Sequence, residues 1–161
     1  MPAAQMNSSK VSLDDKDLQI LKVLQENARL SIREVAAKVH LSPTPTQERI
    51  RRLEQNGVIM QYGALLDPKK INKGIIVICQ VSIREHNRKA AKQFLDKIHS
   101  FKEVLECYNI AGDFDFMLKI VSESMESYHD FFVNKLSEVP HIGHTKSIFV
   151  MSVMKQTHMM L

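Results

Sequence analysis

Apolar positions in the first sixty residues recur at helical spacing. Leu18, Leu21 and Leu24 stand with Ile20 in a segment, 14–26, whose first turn is acidic, where the helix dipole favours negative charge. Ser31-Ile32-Arg33-Glu34 has the Ser-x-x-Glu pattern of a capping box, so Ser31 is predicted to cap a second helix reaching Val39. Val35, Ala36 and Val39 form its inner face. After a tight connection at His40 and Leu41, Ser42-Pro43-Thr44-Pro45 starts a third helix. Ser42 is its predicted cap, and both prolines fall in the first turn, where backbone N–H groups have no intrahelical partner. The helix runs to Asn56, with Gly57 at C′. Three short helices joined by short turns match a helix-turn-helix.

Beyond Gly57 the period changes. Residues 58–65 read as a strand, followed by a linker through Asp67-Pro68-Lys69-Lys70. Ile75, Val77, Cys79, Val81 and Ile83 alternate, which predicts a strand over 75–83. Ala91, Phe94, Leu95 and Ile98 mark a helix over 89–100. Strands are predicted at 104–111 and 116–121, a helix at 125–136 with Tyr128, Phe132 and Leu136 on one side, and a last strand at 144–155. The order β-α-β-β-α-β is that of a ferredoxin-like domain. The fold class is therefore α+β. A polar arm at 1–12, expected to be disordered, precedes a winged-type helix-turn-helix domain at 13–66. A linker at 67–73 leads to a ferredoxin-like domain at 74–161.

The strands are apolar on both faces. Ile76 and Ile78 oppose Ile75 and Val77, while Ile148, Val150 and Met154 oppose Phe149, Met151 and Val153. A ferredoxin-like sheet has helices on one face only, so the other needs a cover. A second copy of the chain is the expected cover, giving a homodimer.

Charge changes this picture little. Net charge is +4, and residues 1–66 carry nine basic against seven acidic side chains, no greater excess than the remainder. Bulk charge does not locate a nucleic-acid surface. No apolar run approaches the ~20 residues of a membrane span, and residues 1–12 lack the apolar stretch of a signal peptide; a cytoplasmic protein is expected. Cys79 and Cys107 lie in apolar stretches without Cys-x-x-Cys spacing, so free buried thiols are expected. His141 and His144 sit beside Pro140 and Gly143 in a turn. No metal or cofactor is expected.

On a wheel of roughly 100° per residue, Thr46, Ile50 and Leu53 of the third helix share an inner face. The outer side carries Thr44, Glu48, Arg51 and Gln55, flanked by Gln47 and Arg52. Recognition helices present N-terminal residues to base edges in the major groove of double-stranded DNA. Thr44, Gln47, Glu48 and Arg51 are accordingly expected at bases, and Ser42, Arg49 and Arg52 at phosphates. The competing reading is a solvated helix face of an interaction module. Two recognition helices in a dimer would address two half-sites.

Leu41-Ser42-Pro43-Thr44-Pro45, Glu48-Arg49-Ile50-Arg51-Arg52-Leu53-Glu54, Gly57-Val58-Ile59, Ala64-Leu65-Leu66-Asp67-Pro68 and Gly112-Asp113-Phe114-Asp115-Phe116, in that order, resemble the leucine-responsive regulatory protein/AsnC family. The resemblance covers the chain from Leu13 to Lys155. It implies a feast/famine transcription regulator, with a C-terminal domain that forms dimers and rings of dimers, commonly octamers, and binds an amino acid between dimers.

Gly112-Asp113-Phe114-Asp115 has several readings. A general acid/base pair would need a nucleophile or oxyanion donors, and none is evident. A divalent metal would want more oxygen ligands. A ligand turn fits a zwitterion, because Gly112 lets backbone N–H groups approach a carboxylate and an aspartate can receive an ammonium. A plain hairpin turn is the fourth reading. The family adds Thr145, Lys146, Ser147 and Ile148 to an effector site, and Tyr108 is placed to wall its side-chain pocket. An apolar amino acid is the expected effector. The sirohaem decarboxylases share the architecture and would call on His129, His141 and His144, but would leave the arginine-rich third helix unexplained. An effector-independent nucleoid-type DNA binder is the remaining alternative.

Overall fold

The computed structural model describes residues 11–85 and 87–161, so the arm predicted at 1–12 lies outside the described residues except for its last two. Two compact units result: residues 11–64 with Lys155–Leu161, and Leu65–Met154. By its contacts the stretch Lys155–Leu161, expected within the second domain, groups with the first. Gln25 fastens it. Its Nε2 donates to the His158 carbonyl at 3.2 Å, and its Oε1 accepts the N–H groups of Met160 and Leu161 at 3.3 and 3.1 Å.

The first unit holds α1 (Asp15–Glu26), α2 (Ile32–Val39) and α3 (Pro43–Gln55). Their apolar stripes close on a core of Ile20, Val35, Val39, Ile50 and Leu53. Ser31 caps α2 in the expected reciprocal box with Glu34. His40 ends α2 in the left-handed conformation (φ 55°), which lets Leu41 N–H reach back to the Ala36 carbonyl at 3.0 Å. Lys16 Nζ ties α1 to the end of α2 through the Val39 carbonyl at 2.7 Å. No strand forms over 58–65. Val58 and Ile59 instead fold back on the Leu53 carbonyl and pack on the helical core, while Tyr62 bonds Glu54 at 2.8 Å.

The second unit holds β1 (Ile75–Ile83), α4 (Arg88–Ser100), β2 (Val104–Asn109), β3 (Phe116–Ser122), α5 (Met125–Phe131) and β4 (Ile142–Phe149). The sheet order is β2-β3-β1-β4, antiparallel throughout, as the ferredoxin-like reading requires. Central β1 pairs Cys79 with Leu118 on one side and with Ser147 on the other. The inner face of the sheet, Val77, Cys79, Val81, Leu118 and Ile120, packs under Phe94 and Ile98 of α4 and Tyr128 and Phe131 of α5. Cys79 and Cys107 are free thiols, the first buried and the second half-buried; burial pushes the Cys79 thiol up to about 11.

Two elements depart from the expected bounds. The helix predicted over 125–136 widens to a π turn at Phe132–Leu136, closed by Ser137 N–H on the Phe132 carbonyl. The wider turn buries Phe131 and Leu136, five apart, and leaves Phe132 half-buried. The last strand stops at Phe149, with one further ladder bond from Val150 N–H to Ile76. β1 begins at Ile75 and offers nothing beyond. Met154 therefore lies beyond the sheet, Val150 is held at its end by the bond to Ile76, and the apolar open face is built from Ile76, Ile78 and Ile148 with Met117 and Tyr108.

Phe94 is fully buried and packs against Phe116 in a tilted ring pair, centroids 4.6 Å apart. Phe94→Ala is expected to destabilise the unit by about 3–5 kcal/mol, read as an earlier urea midpoint in far-UV circular dichroism, with Phe132→Ala costing clearly less.

Candidate nucleic-acid interface and effector site

The third helix is set by three buried side chains, Thr46, Ile50 and Leu53. The Thr46 hydroxyl donates to the Ser42 carbonyl at 2.9 Å, so even the polar member of this face is satisfied. Thr44, Gln47, Glu48, Arg51 and Gln55 then point away from the core, and all five are exposed. This is the face predicted to read bases.

Ser42 occupies the N-cap position but its hydroxyl makes no capping bond. One of the two usual donors is missing for a covalent reason. The N3 position is Pro45, which has no N–H to donate. Ser42 thus serves the helix through its carbonyl, and its hydroxyl stands at the helix N-terminus, where anions are favoured.

Arg49 and Arg52, expected at phosphates, both have their guanidinium groups paired with carboxylates at the start of α1. Arg49 Nη1 lies 2.6 Å from Asp14 Oδ2 and 2.8 Å from Asp17 Oδ1; Arg52 Nη2 lies 2.6 Å from Asp17 Oδ2. Asp17 is completely buried, and it also accepts the Asp14 N–H at 3.1 Å in a capping box made of two aspartates. Periodicity did not reveal this pair. Asp14-x-x-Asp17 before an apolar run was the available signal, though it resembles an ordinary acidic first turn.

The effector residues are spread over the second unit. Gly112 is left-handed (φ 132°) with open space around it, so a side chain there is strained by backbone rather than by neighbours. Phe114 stacks on His144 at 5.9 Å, bringing the 112–115 turn beside the start of β4 and Thr145. Asp115 belongs to the scaffold. Its Oδ2 accepts the Ile83 N–H at 2.8 Å, its N–H donates to Val81, and its carbonyl accepts from Ile110 and the Asn109 side chain. That supports the hairpin-turn reading for Asp115, whereas Asp113 is exposed.

The rest do not converge within one chain. Lys146 and Tyr108 lie on one row across the open face, through Gln80 and Met117, at opposite edges of the sheet. Three strand spacings separate them, roughly 14 Å. Ile148 shares that face further along, but Ser147 is on the other side and bonds the Tyr128 hydroxyl at 2.6 Å. Strand alternation makes Thr145 and Ser147 face the helices and Lys146 and Ile148 face away.

A cavity of about 300 Å³ lies where α4 starts, lined by Ile83, Ala91 and Phe116 and by the polar Asn87, Arg88, Asn109 and Asp115. Apart from Asp115, none of these was expected as a site residue. Asn87 also caps α4 through the Ala90 N–H.

Residues 76–160 match the family model described as the Lrp/AsnC ligand binding domain, and residues 13–60 match a winged helix-turn-helix DNA-binding model. The chain is 36% identical to the proline dehydrogenase transcriptional activator of Rhizobium radiobacter, covering 94% of this chain and 97% of that one. It is 35% identical to the leucine-responsive regulatory protein of Haemophilus influenzae, covering 93% and 90%. A transcriptional regulator of Neisseria meningitidis, solved as a complex with L-methionine, superposes with a TM-score of 0.86 at 35% identity, covering 91% of this chain and 95% of that one.

Asp14 carries a pH prediction. The hydrogen bond from Arg49, and then that from the Asp17 N–H, hold its carboxyl below the ordinary 3.8. A depressed folded value stabilises above the unfolded value and is lost as pH falls through the folded one. The urea midpoint of the full chain is expected to drop on acidification below about pH 4, and Arg49→Gln is expected to flatten that drop.

Proposed function

This chain belongs to the Lrp/AsnC family of DNA-binding transcriptional regulators, and we propose that it binds specific operators under the control of a free amino acid. No helix among the described residues is long and apolar enough to cross a membrane. The DNA half of the reading assigns Thr44, Gln47, Glu48 and Arg51 to base edges and the Ser42 hydroxyl to a phosphate, with Arg49 and Arg52 in a supporting role.

The observation that carries the effector half is the ligand-binding match over residues 76–160. The methionine held by the Neisseria regulator supports an apolar ligand. Gly112, Phe114 and Thr145 share one end of the sheet, and Asp113 is the carboxylate available to an α-ammonium. Tyr108, Lys146 and Ile148 lie on the open face, so they join such a site only where a second copy completes it. The same face, with Ile76, Ile78 and Ile148, supplies the apolar area for an isologous homodimer. Octamers formed from such dimers would put the amino acid between them.

Selection of bound duplexes from a random pool, with and without L-leucine or L-methionine, tests this reading. Enrichment of one pseudo-palindrome whose yield shifts with the amino acid is expected. Unchanged selection alongside no thermal shift with any of the twenty amino acids would sink the effector half. For the dimer, Ile78→Lys places a charge opposite Ile148 on the open face and is expected to yield monomers by light scattering. A dimer of unchanged mass would remove this face from the assembly.

A further inference from the structure

α3 carries three arginines, and only Arg51 lacks a carboxylate partner among the described residues. The other two end on Asp17, whose side chain is fully buried and whose two oxygens accept charge-assisted bonds at 2.8 and 2.6 Å. Asp14 adds a second acceptor to Arg49 at 2.6 Å. Two carboxylates thus neutralise two guanidinium groups within the domain. Removing the arginines' hold on Asp17 would leave a buried charge uncompensated, which keeps the arrangement closed.

The position of Arg52 matters for DNA. At roughly 100° per residue it stands about 40° from Glu48, at the border of the outer face. Its side chain is 51% exposed. A duplex docked on that face comes within range of an arginine whose charge is already balanced. Sequence-independent affinity scales with the number of phosphates neutralised, with a salt slope of about −0.9 per contact. Every arginine withheld from phosphate therefore lowers binding to all sequences alike and leaves base contacts to discriminate.

We propose that Asp17 is a specificity-determining residue: it holds Arg49 and Arg52 away from the phosphate backbone and so limits sequence-independent DNA affinity. Discrimination then rests with Thr44, Gln47, Glu48 and Arg51. The sign of the consequence is unusual. Breaking a buried ion pair beside the reading helix strengthens non-specific binding, where simple loss of structure weakens it.

The test uses the full chain and a random-sequence duplex of about 30 base pairs, with affinity followed by fluorescence anisotropy from about 50 to 200 mM salt, the range in which phosphate contacts are resolved. Asp17→Asn is expected to bind more tightly, with the slope of log K against log salt steeper by about 0.9 per arginine freed. Arg52→Gln is expected to leave the wild-type slope unchanged. The double variant Asp17→Asn/Arg52→Gln is expected to lose about 0.9 of the gain. A folded Asp17→Asn chain, judged by circular dichroism, whose non-specific affinity is unchanged or weaker overturns the proposal. So does an Arg52→Gln slope shallower by about 0.9, since Arg52 would then already contact a phosphate. If Asp17→Asn does not fold, the Arg52→Gln slope decides alone.

Discussion

Strand β1 is hydrogen-bonded along both edges, to β3 and to β4, and its side chains must alternate between two faces. Val77, Cys79 and Val81 are fully buried under the helices, and Ile76 and Ile78 take the other side. Because β3 and β4 are in register with β1, the same alternation is imposed on them. Ser147 is drawn toward Tyr128, and Ile148 is turned out beside Ile78. The core, the uncovered apolar face and the separation of the effector residues all follow from that one constraint.

The first unit depends on a different device. Its core is small, with Ile20, Val35, Val39, Ile50 and Leu53 at its centre, and α3 must be held at a defined rotation for its outer face to be useful. Ion pairs in water contribute little, but Asp17 is buried and its partners are not interchangeable with solvent. Its two oxygens engage the N-cap of α1 and two arginines of α3. A single carboxylate thereby caps one helix and orients another.

The helix-turn-helix, the βαββαβ order and the resemblance carried by Ser42-Pro43-Thr44-Pro45 and Gly112-Asp113-Phe114-Asp115 were legible in the sequence because each is local. Hydrophobic period distinguishes helix from strand, and a proline or glycine marks an end wherever it stands. The same locality explains the misses. Residues 58–65 have strand-like composition, but a strand exists only when another pairs with it, and here the segment packs on Leu53 instead. Residues 150–155 continue an alternating pattern past Phe149, which stands opposite Val77 with only two residues of β1 left to pair. The widened turn at Phe132–Leu136 breaks the 3.6-residue spacing on which the helix was read.

Side-chain roles separated along the same line. That α3 has an inner face at Thr46, Ile50 and Leu53 and an outer one from Thr44 to Gln55 follows from the helical period alone, and the fold left it unaltered. Whether an arginine on that helix is available to a phosphate does not follow from the period. Arg49, Arg51 and Arg52 look alike in sequence, and Asp17 lies 32 and 35 residues from its partners. Only packing α1 against α3 brings that carboxylate to two of the three. Likewise Asp113 and Asp115 are equivalent until β1 presents the Ile83 N–H to one of them. Local sequence determines which groups are offered at a surface; contacts between distant segments determine which of them are already taken.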